Sequence, residues 1–150
     1  MIDIEVEDPA WTDGLPDAGA LVLAAAEATL ASEGAVGEGV SLLLTDDGSL
    51  RDLNRRFRQQ DKATNVLSFP APQNPERFLG DVALAFGVCA REAQEQGKPL
   101  AHHLQHLVAH GVFHLLGYDH ETDAQAEAME GLERDVLAGL GIPDPYLAGK

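Results

Sequence analysis

His110, His114 and His120 stand in an H-x3-H-x5-H spacing within the segment HGVFHLLGYDH. On a helix, residues four apart project side by side, so the imidazoles of His110 and His114 can face a common point. Gly117 can take the left-handed conformation that ends a helix, which lets the chain turn back and brings His120 in as a third nitrogen. Three neutral imidazoles around an open fourth position form the ligand set with which zinc activates water, lowering its pKa to about 7. The spacing therefore predicts one catalytic zinc per chain, although three imidazoles also suit nickel and copper.

Three further histidines precede the motif. His102 and His103 read as exposed helix residues, and His106, one turn before His110, as an outer hydrogen-bond partner at most. The spacing also resembles the metzincin peptidase signature H-E-x-x-H-x-x-G-x-x-H, matching it at His114, Gly117 and His120. Those peptidases need a glutamate general base after the first histidine, and this chain has Gly111 there. Asp119 is the carboxylate placed to orient His120 or position water.

The elements that must hold these residues follow from periodicity. Ile2, Ile4 and Val6 alternate with acids as a half-buried strand, and Pro9 marks a break. Residues 17–33 are Ala- and Leu-rich and read as a helix, and Val40–Leu44 as a buried strand. Leu50, Leu53 and Phe57, spaced by three and four, mark the apolar face of a second helix. Asn65–Phe69 and Asp81–Phe86 read as strands, with a loop over Ala71–Glu76 between them. Helical patterns then run over Val88–Gln96, Leu100–Leu116 and about Asp123–Leu140, and Pro143 and Pro145 open a short frayed tail. The order is β-α-β-α-β-β-α-α-α: an α/β chain of about four strands and about five helices, without internal repeat, so residues 1–150 are expected to form a single domain.

The chain has 150 residues and a formal charge of −15. Such a balance argues against broad adhesion to nucleic acid, which draws on many Lys and Arg contacts to phosphate. The charge is segregated, however: five of the ten basic residues, Arg51, Arg55, Arg56, Arg58 and Lys62, fall within twelve positions that hold only Asp52 and Asp61 as acids. MIDIEVEDPA lacks the features of a secretory signal, and no apolar run approaches the ~20 residues of a membrane span. A cytoplasmic protein without membrane contact is expected. The single cysteine, Cys89, fits a reducing compartment and a buried apolar role.

HGVFHLLGYDH, together with LNRRFRQQDKATNVLSFP (Leu53–Pro70) and LGDVALAF (Leu79–Phe86), closely resembles the YbeY family of bacterial endoribonucleases. The resemblance covers roughly residues 40–135. It implies a zincin-like α/β fold with a small mixed sheet and one zinc on the three histidines. It also implies hydrolysis of single-stranded RNA in ribosomal RNA maturation and ribosome quality control, with the ribosome and its assembly factors as partners. The functionally required arginine of the family's F/Y-R-x-x-D motif maps to Arg58. Gln59-Gln60 stands where family members commonly have Gly-Lys, which removes one positive charge, and Phe113 replaces a usual leucine.

On this reading Arg58 is the catalytic arginine, binding the phosphate whose charge redistributes in the transition state. Arg51, Arg55, Arg56 and Lys62 then hold the substrate strand. Asn65 and Ser68 read as local hydrogen-bond partners and Asp81 as a turn residue. Two other readings stay open from the residues alone: a ribosome-assembly RNA-binding module with a structural zinc, and a metallopeptidase that lacks the usual glutamate. A fourth protein ligand would favour the module.

Overall fold

Near-continuous apolar strands need cover on both faces, and GVSLLLT has it. In a computed structural model that describes residues 1–146, this segment is the second strand of a four-stranded sheet. The elements run β1 (Ile2–Val6), α1 (Ala10–Gly14), α2 (Ala18–Ser32), β2 (Gly39–Thr45), α3 (Asp47–Arg58), β3 (Val66–Pro70), β4 (Phe78–Ala85), α4 (Phe86–Glu95), α5 (Leu100–Leu115) and α6 (Asp123–Gly139). The sheet order is β1-β2-β4-β3. β1, β2 and β4 are parallel, and β3 closes one edge antiparallel to β4. The sheet is mixed, as expected.

Alternation along β2 and β4 sorts their side chains between two layers. Val40, Leu42, Leu44, Val82 and Leu84 pack with α2 and α5 in the main core, joined by Trp11, Val22, Leu104 and Val108. Ala83 and Ala85 point to the other face and meet Leu50 of α3 and Leu67 of β3. A third cluster of Ala109, Phe113, Met129 and Val136 joins α5 to α6. α5 is thus enclosed on several sides, which explains why eleven of its sixteen residues are buried.

Three expectations need correction. α1 is an additional short helix where only a break at Pro9 was expected; it is too short for a periodic signal and is fixed by Trp11, whose indole donates to the Thr45 carbonyl at 2.9 Å. Phe57 does not complete the inner face of α3. It is 63% exposed, while Asn54 is buried and donates to the Lys62 carbonyl at 3.0 Å. Asp81 lies within β4 rather than in a turn, paired with Ser41 and Phe69.

Candidate metal centre

α5 carries His110 and His114 one turn apart and then ends as the spacing predicts. Gly117 has φ of +104°. Its N–H donates to the His114 carbonyl and the Tyr118 N–H to the Phe113 carbonyl, the paired bonds of a Schellman stop. The chain reverses and His120 returns, so that one ligand atom from each of His110, His114 and His120 lies within 4.8 Å of the others. His110 and His114 are half-buried and His120 is exposed.

The outer nitrogens settle what the inner ones can do. His114 Nδ1 lies 2.9 Å from the Tyr118 carbonyl, which only accepts, so this nitrogen carries the proton. His110 Nδ1 lies 2.8 Å from Glu133 Oε2, and a carboxylate again demands N–H. In the neutral rings both Nε2 atoms are then bare lone pairs, and they face each other at 3.1 Å. Burial first, and His110 second, push the His114 pKa down, which favours the neutral ring. Two lone pairs at that distance repel unless a cation lies between them. Nitrogens in a tetrahedral shell at 2.0–2.1 Å from zinc are about 3.4 Å apart, so the residues fit a metal ion.

Glu133, which the sequence reading missed, is fully buried on α6. Its other oxygen, Oε1, meets His106 Nε2 at 2.7 Å and accepts from the Tyr146 hydroxyl. Burial alone would raise its pKa; hydrogen bonds from His106, His110 and the Tyr146 hydroxyl overcome this and hold the carboxyl at about 2. A signal was present in the sequence: Glu133 occupies the same stripe as Met129, Val136 and Leu137, where a lone acid needs a partner. His106 is therefore an outer partner, as expected.

His103 departs from expectation. It is buried, with Nε2 2.9 Å from Glu92 Oε1, and the same oxygen accepts from Asn65 Nδ2 at 3.0 Å. His102 is half-buried. Asp119 does not orient His120: its Oδ1 accepts from the His120 backbone N–H at 2.8 Å and stays 3.9 Å from the ring nitrogen. The segment after α6 is not frayed as far as it is described, because Ile142 is buried, Arg134 pairs with Asp144 at 3.0 Å and Tyr146 reaches Glu133. A groove of about 950 Å³ opens beside His110, with Asn65, Lys98, His102 and Tyr146 in its walls. Cys89 is buried and burial pushes its thiol pKa up, as its apolar reading requires.

Gly111 shows why no glutamate stands at that position. A Cβ there would come within 2.8 Å of Val82 Cγ1 and 3.2 Å of Ser68 Oγ. The helix touches the sheet at this point, and the peptidase-type base has no room.

A model of the endoribonuclease YbeY family matches residues 13–141. The chain belongs to the YbeY family. It is 54% identical to the endoribonuclease YbeY of Azorhizobium caulinodans, covering 97% of this chain and 95% of that protein. Identity to the endoribonuclease YbeY of a Rhodopseudomonas palustris strain is 50%, covering 87% and 83% of the two chains. The solution structure of a Thermotoga maritima protein shares the fold, with a TM-score of 0.61, 24% identity and coverage of 100% and 99%.

Arg58, the candidate phosphate-binding arginine, ends α3. Its Nη2 donates to the Ser68 carbonyl, and the Ser68 hydroxyl donates to the Gly111 carbonyl at 3.0 Å. One residue of β3 therefore connects the guanidinium to the histidine helix. The guanidinium also lies over the Phe69 ring at 5.6 Å. The remaining basic residues differ. Arg51 binds Asp61 with two bonds of 2.7 and 3.1 Å, whereas Arg55 and Arg56 share Asp52 at 2.6 and 3.4 Å. The Asp61 bond raises the Arg51 pKa and lowers that of Asp61. Lys62 is exposed.

Proposed function

We propose that this chain is a zinc-dependent, single-strand-specific endoribonuclease of ribosomal RNA maturation and ribosome quality control, with residues 1–150 working as one hydrolase domain in the cytoplasm. The observation that carries the reading is the pair of opposed, unprotonated Nε2 atoms of His110 and His114, closed by His120 into a donor set that asks for a cation. Family membership supplies the RNA substrate. None of the helices among the described residues is long and apolar enough to cross a membrane.

His110, His114 and His120 would hold one zinc, and the ion would supply Lewis-acid activation of water or phosphate. Three protein donors leave a tetrahedral ion one position for a reactant, which favours the enzyme over the assembly module. The peptidase reading loses its last support, since Gly111 has no space for a base and Asp119 is engaged with backbone.

Arg58 binds the scissile phosphate. Its bond to the Ser68 carbonyl uses one of five guanidinium donors and fixes the head group against β3, leaving the others for phosphate oxygens. Arg51, Arg55, Arg56 and Lys62 hold the strand further along. Three of these must first exchange an aspartate for a phosphate, which makes them weaker anchors. The groove beside His110 has the volume for a flanking nucleotide.

The test is cleavage of a labelled single-stranded ribosomal RNA fragment by wild type, His114→Ala and Arg58→Glu, with bound metal quantified in each. Wild type is expected to cut, His114→Ala to lose both metal and cutting, and Arg58→Glu to keep metal and lose cutting. Equal cutting by all three identifies a contaminant and sinks the proposal. Wild type that binds zinc and RNA without cutting favours the assembly module.

A further inference from the structure

The three histidines differ in what stands behind them. His114 rests on a backbone carbonyl and His120 has a carboxylate no nearer than 3.9 Å, but His110 is backed by the carboxylate of Glu133. Glu133 is itself held at its second oxygen by two donors from different parts of the chain, His106 on α5 and Tyr146 beyond α6. His106 Nε2 and the Tyr146 hydroxyl also lie 3.0 Å apart, so the two donors and the acceptor form one closed cluster.

We infer that Glu133 is a positioning residue for the metal centre, and that Tyr146 makes the segment after α6 a part of that centre. The inference rests on His110 being a metal ligand, as proposed above. The reasoning concerns direction. An imidazole can pivot about its side-chain bonds and can carry its neutral proton on either nitrogen; only the Nδ1–H form with the ring turned as observed presents Nε2 toward His114. Glu133 Oε2 selects that form and that angle. A glutamate left with one free oxygen could rotate away. Here Oε1 is fixed by His106 and Tyr146, so Oε2 stays on His110.

The segment that delivers Tyr146 is itself pinned. The Ile142 N–H donates to the Leu137 carbonyl at 2.9 Å and Ile142 is buried. Asp144 takes Arg134 on one oxygen and the Tyr146 N–H on the other. The Ile142 and Arg134 contacts return to α6, the helix that bears Glu133, so helix and segment act on His110 together.

The test measures zinc affinity of the full chain by competition with a chromophoric chelator, for wild type, Glu133→Gln, Tyr146→Phe and the packing control Leu137→Ala. Leu137 is fully buried on α6, and its one part in pinning the segment, accepting from the Ile142 N–H, is played by a backbone carbonyl that the substitution keeps. Chemical denaturation of the metal-free proteins, and the His110 ring tautomer read by nitrogen NMR, complete the set. Glu133→Gln is expected to bind zinc about ten- to a hundredfold more weakly, to lose the single Nδ1–H tautomer, and Tyr146→Phe to show a smaller loss of affinity. Leu137→Ala is expected to lower stability while keeping the affinity of wild type. Wild-type affinity in Glu133→Gln or in Tyr146→Phe overturns the inference. So does a loss in Leu137→Ala equal to that in Glu133→Gln, because the role is then structural. If wild type itself binds no zinc, the histidine reading fails first and takes the inference with it.

Discussion

The molecule keeps its two sets of ionisable groups in opposite physical states. Around α5, histidines are buried against acids from neighbouring helices: Glu133 of α6 is fully enclosed with His106, His110 and Tyr146 around it, and buried His103 meets the part-buried Glu92 of α4. Along α3 the arginines are exposed and their aspartate bonds lie in water, with Arg51 and Asp61 each more than half exposed. Burial makes the first set directional, because an unpaired group there costs several kcal/mol. Exposure makes the second set exchangeable, since each surface pair is worth about 0–1 kcal/mol and a phosphate can displace the aspartate. The proposed metal site is thus held by fixed, buried pairs, and the proposed strand-holding face by exposed, exchangeable ones.

That contrast can be broken most directly where the histidine helix touches the sheet. Gly111→Glu places a side chain into Val82 and Ser68 and a charge at a buried site, and should cost about 3 kcal/mol or more in urea denaturation. A stable Gly111→Glu protein would mean that α5 can move away from β3 and β4. Next, Thr122→Ala removes the capping box at the start of α6, where Thr122 Oγ1 accepts from the Gln125 N–H and Gln125 Oε1 accepts from the Thr122 N–H. It should lower stability by about 1 kcal/mol in the same assay.

A pH series sharpens the buried half of the comparison. Burial lowers the His103 pKa below its ordinary 6.5, more than Glu92 raises it. The unfolded chain then binds a proton that the folded chain refuses. The stability contributed by neutral His103 is present above 6.5 and declines as pH falls below it, down to the depressed folded value. In the metal-free protein His103→Gln should flatten the dependence of the denaturation midpoint between pH 7 and 5; an unchanged slope assigns it to other groups.

The smallest effect belongs to the exposed half. Asp61→Asn releases Arg51 and should leave stability close to that of wild type. If Arg51 then reaches a phosphate, the dependence of RNA affinity on log salt steepens by about 0.7. An unchanged slope places Arg51 off the strand's path.

How much of this could be read in advance depended on whether the signal was local. The spacing of His110, His114, Gly117 and His120 was sufficient, because a helical turn and a left-handed stop are determined by neighbours in the chain. Four strands and five of the six described helices were legible from periodicity, the mixed sheet was implied only by the family resemblance, and a helix as short as Ala10–Gly14 left no period to read. Phe57 fitted the apolar spacing of α3 and is still largely exposed, its ring meeting only the edge of the sheet at Phe69, 5.6 Å away. His103 looked like a surface histidine because its partner, Glu92, lies on another helix.

The sequence by itself determined the candidate ligand set, the family and the alternation of elements, each read from stretches of neighbouring residues. Only the tertiary structure decided which acid stands behind His110, that Tyr146 closes the cluster from beyond α6, and that Ser68 joins Arg58 to the histidine helix. Those links connect residues 10 to 43 positions apart. Hydrogen bonds between such residues exist only once packing has fixed the angle between elements, and no spacing along the chain encodes that angle.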